Sequence, residues 1–290
     1  MQSSATLTSI FLPLALGIIM LGLGLSLTIA DFKRILNYPK AVAIAMVCQT
    51  ILLPMVCFLV AIGFGLQPTL AVGLMLLAAS PGGPTANLYS HLYNGDVALN
   101  ITLTAVNSVL TVFTLPIVVN FSLGYFLASD QYVPMQFAKV IEVFVIVLAP
   151  VSIGMLLKSK LPSFAAKMDK PVKILSAIFL VLIIAAITIR EREMLANNFG
   201  KIGIPILVFN ALSMAIGYYL PLLFRVERKQ AIAIGMEIGI HNGTLAIFIA
   251  LNILNNSEMS IPPALYGLLM FFTAALFGFL VRGKKSTSPS

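Results

Sequence analysis

Gly235-Met236-Glu237-Ile238-Gly239-Ile240-His241-Asn242-Gly243 places a carboxylate in the middle of a run that is otherwise long and apolar enough to cross a bilayer. A charge at the centre of a membrane costs at least a few kcal/mol, so an ionisable residue there faces the protein interior, takes a partner and carries function. Three glycines and Asn242 weaken helical continuity in the same stretch. Non-helical backbone at that depth is tolerated only where it is buried in protein or lines a cavity. The stretch therefore predicts a break in a transmembrane helix beside Glu237, and the break as half of a binding site.

Working outward, the composition sets the class. Of 290 residues 59% are hydrophobic and 10% charged, and the mean hydropathy is +1.02, far outside the range of a soluble domain. Helical spans need about 20 apolar residues each, whereas a barrel shows short alternating segments; the long Leu, Ile, Val and Ala runs fit only the first. The expected fold is an all-α membrane protein. Nine spans are drawn, at about Thr8–Ile29, Lys40–Phe64, Thr69–Tyr93, Val97–Val119, Phe137–Leu157, Pro171–Ile189, Ile202–Phe224, Lys229–Leu254 and Pro262–Val281. The N-terminus lacks a basic n-region and a small-residue cleavage site, so the first span is expected to be retained. Cys48 and Cys57 lie in the second span with no metal or disulfide pattern and act as small apolar residues.

The net charge of +8 reads as topology rather than as a nucleic-acid surface, because the basic residues fall in short loops. With the N-terminus outside, 14 of the 18 Lys and Arg lie on the cytoplasmic side, leaving Lys139, Arg190, Arg192 and Lys201 outside. The positive-inside rule then predicts a multi-pass protein of the inner (plasma) membrane, N-terminus out and C-terminus in. No segment signals a protein partner.

A faint internal repeat runs through the chain. Thr28-Ile29 resembles Thr188-Ile189; Lys40, nine residues before Gln49, resembles Lys201, nine before Asn210; Ala71-Val72-Gly73 resembles Ala233-Ile234-Gly235; and Ala98-Leu99 resembles Ala264-Leu265. The offsets step five spans, and an odd number of crossings inverts the second copy, an arrangement common in secondary transporters. The fifth span then opens the second copy, and its counterpart before the first is missing.

The third span holds Ser80-Pro81-Gly82-Gly83-Pro84-Thr85-Ala86-Asn87 at its midpoint. Two prolines and two glycines remove backbone donors and helix propensity together, so this helix also breaks, opposite the first break under the repeat offset. Paired interruptions in corresponding spans are the best sequence pointer to a transporter site. In each, the first half-helix ends at mid-membrane with carbonyls that suit a cation, and the second begins there with N–H groups that suit an anion. Pro84 is expected at an early position of its second half-helix. The fourth span stacks Asn100, Thr104, Asn107 or Ser108, and Thr111 on one face, and Gln49 is a further mid-span amide. A hard cation such as sodium takes oxygen ligands, and Glu237 with Asn87, Asn100, Thr104 and Gln49 supplies one carboxylate among neutral oxygens. Plainer readings are a protonated structural carboxyl, a Pro-Gly kink and interhelical glue on the fourth span; the pairing of the breaks weighs against them. An intramembrane hydrolase would need two facing acids or a serine-histidine set, and neither is present in the spans.

These residues resemble the bile acid:sodium symporter family. The resemblance runs from Gly17-Ile18-Ile19-Met20 through Asp31-Phe32, Pro39-Lys40, Pro81-Gly82-Gly83, Asn87, Val97-Ala98-Leu99 and Thr104 to Glu237, Gly239 and Asn242. It implies two crossed broken helices in a core domain (about 69–130 and 229–282) rocking against a panel domain (about 8–64 and 137–224). It also implies two sodium ions behind the crossing. One would use Asn87, Asn100, Thr104, Glu237 and backbone near Ala86; the other Gln49, Glu237, His241 and the carbonyls of Ile238 and Ile240. The transported organic anion, bile acid-like or a small carboxylate such as a pantoate- or pyruvate-like acid, would sit by Gly83, Pro84, Thr85 and Asn242. Ala86 and Asn100 stand where the family has Ser, His241 where it has Gln, and Pro84-Thr85 where Thr-Ala is typical. Neutral His offers sodium a single ring nitrogen, a poorer ligand than an amide oxygen. The alternative to sodium symport is proton coupling through Glu237 and His241.

Overall fold

Proline and the absence of Cβ atoms decide where these helices start, stop and bend. The computed structural model describes residues 11–127 and 137–282, and the regular elements within them are all helical. Thr8, the start of the first expected span, and the tail from Gly283 with Lys284 and Lys285 lie outside the described residues. Helix α1 (Leu12–Ser26) has proline in its first turn and gives way to extended backbone at Leu27 and Thr28. There Asp31 Oδ2 accepts from both the backbone N–H and the hydroxyl of Thr28, each at 2.6 Å, and Arg34 pairs with Asp31. This reciprocal cap starts the short α2 (Ile29–Lys33), and the chain bends by 70°. The straight span expected to Ile29 is therefore a bent pair.

Helix α3 (Pro39–Val47) passes through a wide π turn at Cys48–Leu52 into α4 (Leu53–Gly63). Pro54 has no N–H to offer a regular helix, and the turn absorbs the gap, with Leu53 donating to the Cys48 carbonyl. The third expected span is split into α5 (Pro68–Ala79) and α6 (Ala86–Leu92). Asp96 caps α7 (Val97–Phe126) by accepting from the Leu99 N–H at 3.0 Å. Helices α8 (Phe137–Lys160), α9 (Pro162–Arg190) and α10 (Arg192–Leu223) follow. The eighth expected span is split into α11 (Arg228–Gly239) and α12 (Gly243–Phe248), the latter continued by a π turn at Ile249–Ile253; α13 (Ile261–Val281) completes the chain. Among the described residues six helices are long and apolar enough to cross a membrane, seven counting the bent pair. Helices α9 and α10 outrun the drawn bounds because their first turns are polar yet helical, and α7 runs on to Phe126.

Helices α1, α8 and α9 pack on one another as a layer. Gly24 and Gly154 let α1 and α8 touch backbone to backbone: a Cβ on Gly24 would lie 2.2 Å from the Val151 carbonyl oxygen, and one on Gly154 2.5 Å from that of Leu21. Lys158 donates to the Ser26 carbonyl at 2.6 Å, a cation on the C-terminal end of α1, and α9 joins this layer through Phe179 against Phe11. The broken helices are the most enclosed, with residues 70–79 of α5 and 231–239 of α11 all buried. Helices α3, α4, α7, α10 and α13 surround them. Large apolar side chains on the outer faces, such as Val145, Ile178, Val181 and Phe272, are exposed, as lipid contact allows.

Candidate ion-binding site at two paired helix breaks

The two breaks are bonded to each other. The Gly83 N–H donates to the Ile240 carbonyl at 2.6 Å and the Asn242 N–H to the Pro81 carbonyl at 2.8 Å, a two-bond antiparallel bridge centred on Gly82 and His241. Backbone freed by each interruption is thus satisfied by the other, as a low-dielectric interior requires. The contact is close: a Cβ on Gly82 would sit 2.1 Å from Glu237 Oε1, and one on Gly83 3.0 Å from the His241 carbonyl oxygen. A side chain at Gly82 would require the Glu237 carboxylate or the bridge to shift.

Glu237, fully buried, is the last-turn acid of α11. Its Oε2 accepts from Thr104 Oγ1 at 2.6 Å and its Oε1 from Asn107 Nδ2 at 3.2 Å, both on α7. Among the described residues no Lys or Arg pairs with it. Around it the amides share one habit. Asn100 Nδ2 donates to the Ala233 carbonyl at 2.7 Å, Gln49 Nε2 to the Ser80 carbonyl at 3.0 Å, and Asn210 Nδ2 to the Gly239 carbonyl at 3.1 Å. In each case, and in Asn107, the nitrogen is engaged while the buried oxygen has no partner, as is Asn87 Oδ1. An unmatched buried acceptor costs about 1–3 kcal/mol, so these oxygens, one of them on the amide that bonds the carboxylate and the rest on elements that meet at the breaks, are acceptors that a cation would satisfy. All the donors are oxygens, which suits sodium. No group of three or more His, Cys, Asp or Glu that could hold a metal occurs among the described residues.

His241 Nδ1 lies 3.3 Å from the Ser80 carbonyl that also receives Gln49, so Nδ1 carries the proton and Nε2, without a partner, is a bare acceptor. Its ring stacks on Phe209 at 5.9 Å and meets Tyr266 edge-on at 5.3 Å. Gln49 and His241 therefore meet at one carbonyl. Thr104 is on Glu237, and Asn100 lies one turn before Thr104. Ala86 is buried, whereas Asn87 is half-buried and makes no hydrogen bond to Glu237. The Ile240 carbonyl already accepts from Gly83. Pro84 and Thr85 form a turn and α6 begins at Ala86, so Pro84 precedes the half-helix rather than opening it; the residues before it are drawn into the bridge. Asn242 caps α12 by accepting from the Leu245 N–H at 3.1 Å, leaving Nδ2 buried without a partner, a free donor on the side expected to meet an anion. Two residues were missing from the set read off the sequence, Asn107 and Asn210. The signal for the first is its place in the α7 stripe beside Ser108, and for the second its spacing from Lys201, which matches that of Gln49 from Lys40.

A multi-pass helical bundle with a carboxylate and unpaired oxygens at paired mid-bundle breaks is the build of an ion-coupled membrane transporter. Residues 13–198 match the Sodium Bile acid symporter family, and the chain belongs to that family. Among relatives, it is 30% identical over 270 residues to the hepatic sodium/bile acid cotransporter of Rattus norvegicus, covering 91% of this chain and 71% of that protein. It is 28% identical over 246 residues to the sodium-dependent transporter YocS of Bacillus subtilis, covering 84% and 75%. It is 27% identical over 250 residues to a probable chloroplastic sodium/metabolite cotransporter, BASS2, of Oryza sativa, covering 86% of this chain and 58% of that one. These relatives are named as transporters, and this protein is a transporter rather than an enzyme.

Proposed function

We propose that this protein is a sodium-coupled symporter that imports an organic anion by alternating access. The observation that carries it is Glu237, buried without a basic partner among the described residues and bonded by Thr104 and by Asn107, whose own amide oxygen has no donor. One sodium ion sits at Glu237, Thr104 and Asn100, with Asn87 and the backbone at Ala86 closing in. A second position, at Gln49, His241 and the carbonyls of Ile238 and Ile240, is the weaker one because His241 brings a nitrogen. The anion, bile acid-like or a small carboxylate, meets Gly83, Pro84, Thr85 and the free Nδ2 of Asn242. No observation favours proton coupling.

The architecture is read as nine crossings, six continuous, one bent and two broken, in an inner membrane with the N-terminus outside. An inverted repeat is supported by three relations at one offset. Gln49 Nε2 is 3.4 Å from the Ala78 carbonyl, as Asn210 Nδ2 is 3.1 Å from that of Gly239, and the bonded pair Pro81 and Asn242 maps onto itself. Packing supports a two-body division whose boundary differs from the one drawn on sequence. Gln49 and Asn210 bind the broken helices, and on that ground we read α3–α4 and α10 as part of the core and α1, α8 and α9 as the panel. Uptake by proteoliposomes of a panel of labelled carboxylates tests the function: an inward sodium gradient should drive accumulation, and equal uptake with potassium would overturn the reading.

A further inference from the structure

We infer that Asn107 is itself a ligand of the transported cation, its amide turning over so that a hydrogen bond to Glu237 is exchanged for an ion–oxygen contact. The inference rests on the sodium-coupled reading. Asn100, Thr104 and Asn107 follow one another at spacings of four and three along α7 and so share a face, and the last two both touch Glu237. Asn107 is 1% exposed and its Oδ1 has no partner. The bond it does make is slack. Its Nδ2 stands 3.2 Å from Glu237 Oε1, whereas charge-assisted N–H···O bonds to a carboxylate run at about 2.7–2.9 Å. Asn100, by contrast, is held at 2.7 Å from the Ala233 carbonyl.

A side-chain amide is nearly symmetric in shape, so a half-turn about its last bond swaps oxygen for nitrogen without moving the helix. That swap would leave two oxygens 3.2 Å apart, repulsive if bare. Two oxygens at that separation are, however, both within reach of one hard cation at about 2.4 Å from each. Asn107 therefore has a use in both halves of a cycle. Without the ion its NH2 group and the Thr104 hydroxyl solvate the carboxylate, which lets the carrier return empty without a naked buried charge. With the ion, its oxygen joins the coordination shell.

The test compares substitutions by sodium-specific thermal stabilisation of the purified protein, titrated against potassium. Asn107→Leu removes donor and acceptor; Asn107→Asp removes the donor, keeps an oxygen and adds charge. If Asn107 only anchors Glu237, Asp is the worse substitution, because two carboxylates repel. If it ligates the ion, sodium affinity in Asn107→Asp stays at or above wild type and exceeds that of Asn107→Leu by at least about tenfold, the worth of one contact to a charged group. Equal loss in both, or greater loss in Asp, overturns the inference. Should the Leu variant not fold, Asn107→Ser, whose hydroxyl is too short to reach, takes its place in the comparison. A wild-type protein that sodium stabilises no more than potassium does would overturn the sodium-coupled reading itself, and this inference with it.

Discussion

Glu237 carries the only fully buried acid among the described residues, and its replacement by Gln separates charge from shape. Two unit charges about 4 Å apart interact with about 4 kcal/mol at an effective dielectric of 20, so the charge dominates cation affinity. Glu237→Gln should leave the purified protein folded, with circular dichroism unchanged, while sodium-driven uptake falls to the level seen in potassium; undiminished uptake would remove the central role of the carboxylate. His241→Gln should tighten sodium binding several-fold by setting an amide oxygen beside the free Oε1 of Gln49, as read from the sodium concentration at half-maximal uptake. At this scale the sequence exposed Glu237, Thr104, Gln49 and Asn100, because polar side chains stand out in apolar runs. It did not separate Asn107 from Ser108. In the fold, the Ser108 hydroxyl bonds back to the Thr104 carbonyl at 2.7 Å, as serines in helices do, whereas the longer amide of Asn107 reaches across to α11.

The breaks in α5–α6 and α11–α12 are elements with their own requirement, which is space. Gly82→Ala would thrust a Cβ to 2.1 Å from Glu237 Oε1, so either the carboxylate or the bridge must shift. Overpacking of this kind costs about 1–3 kcal/mol. The expected result is a lower melting temperature together with loss of sodium-specific stabilisation, measured in one thermal titration; an unaltered sodium response would mean that the carboxylate has room to move. Both breaks were legible because Pro and Gly mark them without ambiguity. The start of α6 was not, since the pull of the bridge on Pro81–Gly83 is a tertiary effect that local propensity cannot report. Nor was the bend at Leu27–Thr28, although its capping pair, Thr28 and Asp31, is three residues apart in the ordinary helix-start pattern.

At the scale of the whole molecule, the all-helical class followed from hydropathy alone, while the proposed repeat has only a handful of sequence positions at its offset. The bonds made by Gln49 and Asn210 are chemically alike, but the Gln side chain is one methylene longer than that of Asn, so identity scoring passes over them. Orientation is a matter of charge: 14 of 18 basic residues fall on one side of the nine-crossing drawing. Alkaline phosphatase fused at the C-terminus should therefore be inactive and a cytoplasmic reporter there active; a periplasmically active phosphatase would invert the scheme. The bridge of Pro81 with Asn242 has a thermodynamic corollary. On the inverted-repeat reading it lies on the axis that exchanges the two halves, so the carrier works like a revolving door, with no built-in sense of entrance and exit. Vesicles loaded with sodium and substrate, then diluted into sodium-free buffer, should export the anion with the same number of ions per turn as they import it, the concentrations alone choosing the direction.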